Sequence, residues 1–433
     1  MNKNIKCAIP KWRFESFDSY PKWDIKKLGC LMEPIKERAG DKKYVLMSVT
    51  SGVGLIPQVE KFGREIAGNS YKNYYVIRKN DFAYNKSSTK EFPEGYISML
   101  KEYEEAAIPN SIFTCFGVIG DEYEPLFFDQ LFNTNYHGKW LRKYIEIGAR
   151  AHGALSIDTK YLWNMPVAVP KLPEQQKIAD CLSSIDDLIS AEEKKLLLLN
   201  DYKKGWMQKL FPVEEKTIPE WRFPEFKDSK GWTQKKLDEI GKFIRGFSYS
   251  SQDTTDDKTK LLVIRSNNIV PMGKTDYINN LRYVNKKCSK EQNLIFGDIT
   301  ICMANGSSNL IGKSSFYDGG YAGDITVGVF CGIFRSPLPI VRYLFQTNQY
   351  NRELQRVSQG GDGAIANLKE IDIKNIEFLL PTLPEEQQKI ANFLSGIDDL
   401  ISKQTGKIEA LKHHKKALMQ GLFPAAEEVC KCV

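Results

Sequence analysis

The sequence predicts an α+β protein in which two tandem β-rich modules with helices are joined by two long helices forming an antiparallel coiled coil. Three observations predict this fold class. A long helical segment occurs twice, because Gln175–Pro212 and Gln387–Pro424 share the same residue at 22 of 38 positions. Apolar residues in both copies alternate at spacings of four and three, which is heptad spacing. An aromatic segment and a series of β-rich runs precede each copy.

The composition excludes several classes of protein. Hydrophobic residues make up 42% and charged residues 27% of the 433 residues, as in an ordinary soluble protein. The net charge of +7 permits an anionic partner without requiring one. Nine cysteines are scattered without a paired framework, as in a reducing cytoplasm. Because no apolar run approaches roughly 18 residues and the first residues are too polar for a secretory signal, we expect a cytoplasmic protein without a membrane partner.

The aromatic segment marks the start of each repeat. Ile9-Pro10-Lys11-Trp12-Arg13-Phe14 returns 209 residues later as Ile218-Pro219-Glu220-Trp221-Arg222-Phe223. We therefore predict seven segments in order: an N-terminal segment (1–20), a first module (21–170), a central helix (171–212), a linker (213–228), a second module (229–381), a C-terminal helix (382–424) and a tail (425–433). The pair Cys430 and Cys432 is interpreted as part of a frayed tail.

Runs rich in β-branched and aromatic residues predict the strands of both modules. In the first module they are Tyr44–Thr50, Tyr74–Tyr84, Ile112–Ile119 and Val167–Pro170, with a helical stretch at Leu126–Ile147. In the second they are Leu261–Arg265, Asp298–Met303, Asp324–Arg335 and Ile376–Pro381, with a helix at Leu338–Val357. The interiors otherwise differ in sequence, so we expect a shared scaffold with different surface loops.

The two long helices carry the same apolar seam with polar exceptions at equivalent positions. The exceptions are Glu192 and Lys203 in the first copy and Gln404 and Lys415 in the second. A helix packed only on its own domain could show such a stripe. However, a helix of about 38 residues spans roughly 57 Å, which is longer than a module of this size needs. Two such helices with matching seams therefore predict a pair.

No motif predicts catalysis or a resident cofactor. Gly312-Lys313-Ser314 lacks the earlier glycine of a phosphate-binding loop, and Gly52-Val53-Gly54 has no third glycine for a dinucleotide turn. The chain has no Pro-Pro dipeptide, so the amino-methyltransferase signature is absent. His413-His414 is typical of a solvated helix face, and the paired carboxylates Asp186-Asp187 and Asp398-Asp399 are expected to face water or a partner. We predict no catalytic, cofactor-binding or metal site.

Polar loops beside basic residues are the candidate site. Short amides and hydroxyls on loops can contact base edges, while Lys and Arg hold phosphates. Ordinary turn chemistry is the alternative for each loop taken alone. The recurrence of Asn-x-Ser-Ser after a strand in both modules makes nucleic-acid binding an equal alternative to turn chemistry. The candidate DNA-binding residues are Asn85, Lys86, Ser87 and Ser88 in the first module, and Arg245, Arg265, Asn267, Asn268, Asn305, Ser307, Ser308 and Lys313 in the second.

The repeated segment Leu-Pro-x-(x)-Gln-Gln-x-Ile-Ala, leading into a long helix that ends in Leu-Phe-Pro, resembles the specificity subunits of Type I restriction-modification systems. The resemblance covers nearly the whole chain. Pro170 and Pro381 close the last strand of each module, and Gly153-Ala154-Leu155 and Gly363-Ala364-Ile365 also look like family features.

The resemblance implies a non-catalytic subunit whose two target-recognition domains each read one half of a bipartite, asymmetric DNA target in the major groove. The helices would set the spacer and dock the partners. The implied partners are double-stranded DNA, two methyltransferase (modification) subunits and up to two restriction/translocase subunits. S-adenosylmethionine, ATP and Mg would belong to those subunits and none to this chain. A stand-alone DNA-binding regulator or a specificity module of another modification system is the alternative.

Two alternatives from other classes make different predictions. An enzyme would turn over a substrate as the purified chain, although no catalytic constellation is recognisable. A purely structural coiled-coil adaptor would explain the helices but not the two modules with polar loops. DNA binding measured at varied salt separates the adaptor from a DNA-binding protein.

Overall fold

A computed structural model describes residues 7–145, 155, 157–213, 216–307, 310–358 and 367–431. The chain forms two compact units. The first unit contains residues 1–194 and 406–433, and the second contains residues 195–405. Each unit therefore includes one module together with parts of both long helices.

The first unit is built mainly from short antiparallel strands. Its strands are β1 (Cys7–Ala8), β2 (Trp23–Lys27), β3 (Met32–Pro34), β4 (Met47–Thr50), β5 (Gly54–Pro57), β6 (Tyr75–Arg78), β7 (Phe82–Asn85), β8 (Tyr96–Met99), β9 (Glu105–Ile108), β10 (Phe113–Val118) and β11 (Pro166–Val169). Its helices are α1 (Gln58–Phe62), α2 (Pro125–Asn133), α3 (Tyr136–Leu141), α4 (Thr159–Trp163) and the start of α5 (Leu172–Leu210). The sheets have the orders β1-β2-β11, β3-β10-β7-β8, β4-β5 and β6-β9.

The second unit repeats this plan with different connections. Its strands are β12 (Thr233–Lys236), β13 (Lys242–Arg245), β14 (Thr254–Thr255), β15 (Leu261–Ile264), β16 (Tyr283–Val284), β17 (Ile299–Cys302), β18 (Ser314–Phe316), β19 (Ile325–Val327), β20 (Cys331–Arg335) and β21 (Glu377–Leu380). Its helices are α6 (Leu237–Ile240), α7 (Val341–Leu344), α8 (Asn348–Ser358), α9 (Glu370–Lys374) and the start of α10 (Pro384–Leu422). The sheets have the orders β12-β21, β13-β20-β17-β18 and β14-β16-β15-β19.

Two of the three four-stranded sheets, β3-β10-β7-β8 in the first unit and β13-β20-β17-β18 in the second, share one topology. Across each of these sheets the neighbouring strands are, numbered by their order in the chain, the first, fourth, second and third. All neighbouring strands are antiparallel. Strand β7 thus has the same place as β17, and β10 the same place as β20. Apolar faces of these sheets pack against helices α2 and α7, around Phe116 and Phe132 in one unit and Phe334 and Phe345 in the other. The shared scaffold predicted from the sequence is confirmed.

Several predicted elements are divided in the structure. The run Tyr74–Tyr84 forms β6 and β7, separated by a turn in which Asn80 has φ of 73°. The run Asp324–Arg335 likewise forms β19 and β20, because Gly328–Phe330 make a turn. The helical stretch predicted from Leu126 breaks at Asn135, whose φ is 56°. Its last residues, 146 and 147, lie outside the described residues.

The predicted long helices are present, with 39 residues each. All seam positions are buried or half-buried, including Glu192, Lys203, Gln404 and Lys415. In the first unit Asp186 pairs with Lys415, and Glu192 pairs with Lys407. The residue numbers of the α10 partners decrease as those of α5 increase, so the two helices run antiparallel in this unit.

The same direction holds in the second unit. Lys203 of α5 forms an ion pair with Asp398 of α10, and the rings of Trp206 and Phe393 meet edge to face with centroids 5.0 Å apart. The pair predicted from the seam is therefore confirmed within each unit, and its direction there is antiparallel, as expected from the two like modules. Asp186 and Asp398, expected to face water or a partner, instead face the other long helix.

A buried ion pair connects the aromatic segment of each repeat to the start of a long helix. The guanidinium of Arg13 donates to both oxygens of Glu174, at 2.8 and 2.6 Å, and Arg222 does the same to Glu386, at 2.7 and 2.6 Å. A tryptophan, Trp23 or Trp232, donates a further hydrogen bond to the same carboxylate. A buried carboxylate is stable only with such partners, which explains why Arg, Trp and Glu recur together.

The glutamine of the repeated motif also has a structural role. Gln175 Nε2 donates to the Pro170 carbonyl at 2.9 Å, and Gln387 Nε2 donates to the Pro381 carbonyl at 2.8 Å. Each glutamine therefore holds the end of the module's last strand against the first turn of the long helix.

The tail differs from the expectation. Residues Ala426–Lys431 form a helix, α11, in the first unit, with Ala426 and Val429 buried. The interpretation of a frayed tail is therefore wrong for this stretch, because two apolar side chains of one helix face are packed. Cys432 lies outside the described residues. None of the described helices is long and apolar enough to cross a membrane.

Candidate nucleic-acid interface

The second unit contains an open cleft of about 920 Å³ beside the ends of β15, β17 and β19. Three of the predicted DNA-binding residues, Arg265, Asn267 and Asn305, line it. They come from two loops 38 residues apart, which a hydrogen bond from Asn305 to Ser266 joins. The clustering supports reading these loops as one site.

The loop after β15 presents a cation and an amide. The Arg265 guanidinium is held by a hydrogen bond from Nη2 to the Asn280 carbonyl at 2.8 Å. Its Nε–H is buried and has no hydrogen-bond partner in the described part of the chain. The Asn267 side chain is exposed. The Asn267 amide is therefore available to a ligand, and Arg265 adds a positive charge to the cleft lining.

Asn268 is directed inward. Its Oδ1 accepts from the Arg265 backbone N–H at 3.2 Å, and its Nδ2 donates to the Asn279 carbonyl at 2.8 Å. The side chain is buried. We therefore assign Asn268 to the stability of the loop and remove it from the candidate base contacts.

The loop after β17 is tied to the loop after β15. Asn305 Nδ2 donates to the Ser266 hydroxyl at 3.0 Å, and Asn305 Oδ1 accepts from the Ser307 N–H at 3.0 Å. The Oδ1 end of the amide keeps one further accepting position, whereas the Asn305 side chain also forms a hydrogen bond with the Cys302 thiol. Ser307 is exposed, whereas Ser308 lies outside the described residues.

Two predicted basic residues are not in the cleft lining. Arg245 is largely exposed and forms an ion pair with Glu370 at 2.9 Å. Lys313 is half-buried, and its backbone carbonyl accepts from the Cys302 N–H at 2.9 Å. The structure therefore does not bring these two cations together with Arg265.

Residues missed by the sequence reasoning complete the cleft. Arg282 and the turn residues Val329 and Phe330 line it, together with Tyr249 and hydroxyl side chains. The described lining contains two arginines and no carboxylate. Burial raises the pKa of the Cys331 thiol to about 12, so this lining residue adds no negative charge. The cleft is therefore positive and suited to an anionic ligand.

The first unit has a smaller cleft, of about 580 Å³, at the matching end of its sheet. Asn85 and Ser87, two of the predicted DNA-binding residues, line it, and Lys61 and Lys90 supply cations that the sequence reasoning missed. Partial burial lowers the pKa of Lys61. Lys86 and Ser88 are half-buried and do not line this cleft.

The two polar loops have the same local geometry. Ser87 N–H donates to Asn85 Oδ1 at 3.0 Å, as Ser307 N–H donates to Asn305 Oδ1. The first loop follows β7 and the second β17, the strands with the same place in the two sheets. The loops are therefore structurally equivalent, while the basic residues around them differ.

Comparison with known families is consistent with this duplicated arrangement. Residues 36–200 and 229–413 each match the family model described as the Type I restriction modification DNA specificity domain. The two matches cover most of the chain. The chain belongs to this Type I specificity family.

Relatives of this specificity subunit are distant. It is 27% identical over 307 residues to the Type I restriction enzyme MjaVIII specificity subunit of Methanocaldococcus jannaschii, covering 66% of this chain and 68% of that protein. It is 26% identical over 202 residues to the EcoKI specificity subunit of Escherichia coli, covering 44% of this chain and 42% of that one. The chain thus spans under half of the EcoKI subunit in that match.

A solved structure has the same fold. The S subunit of a Type I restriction-modification system from M. genitalium superposes with a TM-score of 0.57 at 13% identity, covering 96% of this chain and 99% of that chain. Like other members of the family, the specificity subunit described here is the non-catalytic component of its system. Within the described ranges, no three His, Cys, Asp or Glu side chains cluster as metal ligands.

Proposed function

We propose that each cleft of the specificity subunit reads one half of a bipartite, asymmetric DNA target. The observation that carries the proposal is the pair of equivalent Asn-x-Ser-Ser loops, which lie in clefts lined by different side chains. A shared scaffold presents the loops in the same way, whereas different neighbouring side chains select different bases. Two unlike clefts therefore favour two unlike half-sites.

The chemistry of each cleft fits the major groove. Amides and hydroxyls contact base edges, and cations neutralise phosphates. In the second cleft we assign base reading to Asn267 and Asn305, with Arg265 and Arg282 as the cations. In the first cleft we assign base reading to Ser87, with Lys61 and Lys90 as the cations. Asn85 is buried and its amide bonds to the Val49 carbonyl and the Ser87 N–H, so we assign it to holding the loop.

The long helices are assigned a second role, as the element that sets the spacer between half-sites and docks partner subunits. We infer two methyltransferase subunits and up to two restriction/translocase subunits, which would hold S-adenosylmethionine, ATP and Mg. The whole complex would act on double-stranded DNA in the cytoplasm. We also retain the domain boundaries predicted from the sequence as part of this proposal.

The experiment is methylome sequencing of cells that express the chain with its methyltransferase partner. The expected result is one bipartite motif with two different halves. Replacing residues 229–381 by the equivalent module of another family member should change one half only. A change in both halves, or no methylation motif, would contradict the proposal. Sequence-specific binding without any effect on methylation would favour a stand-alone regulator.

A further inference from the structure

Phe330 is an exposed aromatic side chain in a cleft that also carries two arginines, amides and hydroxyls, with the exposed Val329 beside it. Its side chain is 66% exposed, although the cleft around it carries Arg265, Arg282 and Asn305. An isolated exposed apolar residue is common on protein surfaces. One that lines a concave, cationic site is available to a ligand in that site.

The backbone at Phe330 is tightly held. Its carbonyl accepts hydrogen bonds from the N–H groups of Met303 and Ala304, at 2.9 and 3.1 Å. The next residue, Cys331, donates to the Gly328 carbonyl at 2.8 Å and begins β20. Phe330 is therefore anchored directly to the chain that leads into the Asn305 loop. The ring is presented to the cleft by a rigid turn.

We propose that Phe330 determines one base of the second half-site by packing against the C5-methyl group of a thymine. This inference rests on the proposed function. The major groove displays hydrogen-bonding groups at every base pair but only one apolar group, the thymine methyl. A phenyl ring offers no hydrogen bond to the base edges. Its discriminating contact in that groove is therefore with the methyl.

Neighbouring residues of the cleft are proposed to make different kinds of contact with DNA. Asn305 and Asn267 can hydrogen-bond base edges, and Arg265 and Arg282 can hold phosphates. Phe330 is fixed beside Asn305 by two backbone hydrogen bonds. The thymine read by Phe330 should therefore lie at or next to the base pair contacted by Asn305.

Deoxyuridine provides the test, because it lacks only the C5-methyl group. After the target is known, each thymine of the second half-site is replaced singly by deoxyuridine in a duplex. Affinity is measured for the full chain assembled with its methyltransferase partner. The wild-type complex should lose about four-fold at one position, the value of one methyl-sized apolar group. The F330A complex should bind thymine and deoxyuridine equally at that position.

Phe296→Ala is the matched control, because Phe296 is 71% exposed in the same unit and does not line the cleft. This variant should keep the wild-type response to deoxyuridine. F330L should keep part of the discrimination, because leucine remains apolar. Thermal unfolding of F330A should match the wild type, since the ring is mostly outside the core.

Three results would overturn the assignment while leaving the proposed function intact. They are a second half-site without an A·T pair, a wild-type deoxyuridine response in F330A, and an equal loss of affinity by F330A for every duplex. The last result would indicate stacking on an extruded base. A wild-type complex that shows no sequence-specific binding would instead overturn the proposed function itself.

Discussion

Asp186 of α5 accepts hydrogen bonds from Lys415 of α10 through both carboxylate oxygens, at 2.6 Å each. The second unit contains the equivalent pair with the helices exchanged, because Lys203 of α5 contacts Asp398 of α10 at 2.7 Å. Each carboxylate also contacts a module residue, Gln130 in one unit and Tyr343 in the other. In both units a single aspartate thus connects the module to the two long helices.

Removing Asp398 should destabilise the second unit. Asp398→Ala leaves the side chains of Lys203 and Arg342 without their shared carboxylate in a site that is mostly shielded from water. We expect a loss of about 2 kcal/mol in the free energy of unfolding, measured by urea denaturation. Asp399→Ala is the control, because Asp399 is exposed and its loss should change stability by less than about 0.5 kcal/mol. Equal effects of the two substitutions would show that the ion pairs contribute little.

Arg282 and Lys313 should differ in their effect on DNA binding. Arg282 lines the cleft of the second unit, whereas Lys313 does not. Arg282→Ala should therefore weaken binding to all sequences and reduce the slope of log affinity against log salt by about 1. Lys313→Ala should leave this slope unchanged. The measurement is a salt titration of binding by the assembled complex, and a reversed ranking would show that phosphates follow a different path.

His137 should contribute to acid destabilisation of the first unit. Burial lowers its pKa to about 4, and its Nε2–H donates to the Gly95 carbonyl. The folded state therefore holds the neutral ring, while the unfolded chain gains a proton below about 6.5. The stability that the neutral His137 ring gives the folded state is present above about pH 6.5. It is lost as the pH falls towards 4, because protons then bind the unfolded chain more strongly than the folded one.

The comparison variant for this effect is His137→Phe, which replaces the ring that lies beside Tyr84 and Phe132 with one that does not titrate. Between pH 7 and pH 4 the free energy of unfolding of the wild type should fall by about 3 kcal/mol more than that of the variant. Unfolding by urea at several pH values measures it. A difference that does not change with pH would mean that His137 is not buried neutral.

Lengthening the helices should change the spacer and not the half-sites. Seven residues inserted after Lys194 and after Thr405 preserve the heptad seam and leave the Asp186–Lys415 and Lys203–Asp398 pairs within their units. Each helix grows by about 10.5 Å, or roughly three base pairs of B-DNA. Methylome sequencing should find the same half-sites with a longer spacer. A single-helix insertion is the control and should disrupt pairing. An unchanged spacer at full methylation would show that the helices do not set it.

The sequence by itself determined the duplication, the two long helices and their polar seam positions. These features depend on local periodicity and on internal comparison, because heptad spacing and cap residues act within a few turns. It also identified the two Asn-x-Ser-Ser loops, because their recurrence after a predicted strand can be seen in the sequence alone. The strong pairing of Asp186 with Lys415 was not foreseen, although both residues lie on recognised helices.

Only the tertiary structure decided which polar residues share a cleft. Asn267 and Asn268 are adjacent in sequence, yet one is exposed and the other is buried as a support for the loop. Arg282 and Phe330 enter the site from distant segments, and Arg245 is directed to Glu370 instead. Side-chain direction in such loops is set by turns and by hydrogen bonds between distant strands. These long-range contacts leave no periodic pattern in the sequence from which the lining could be deduced.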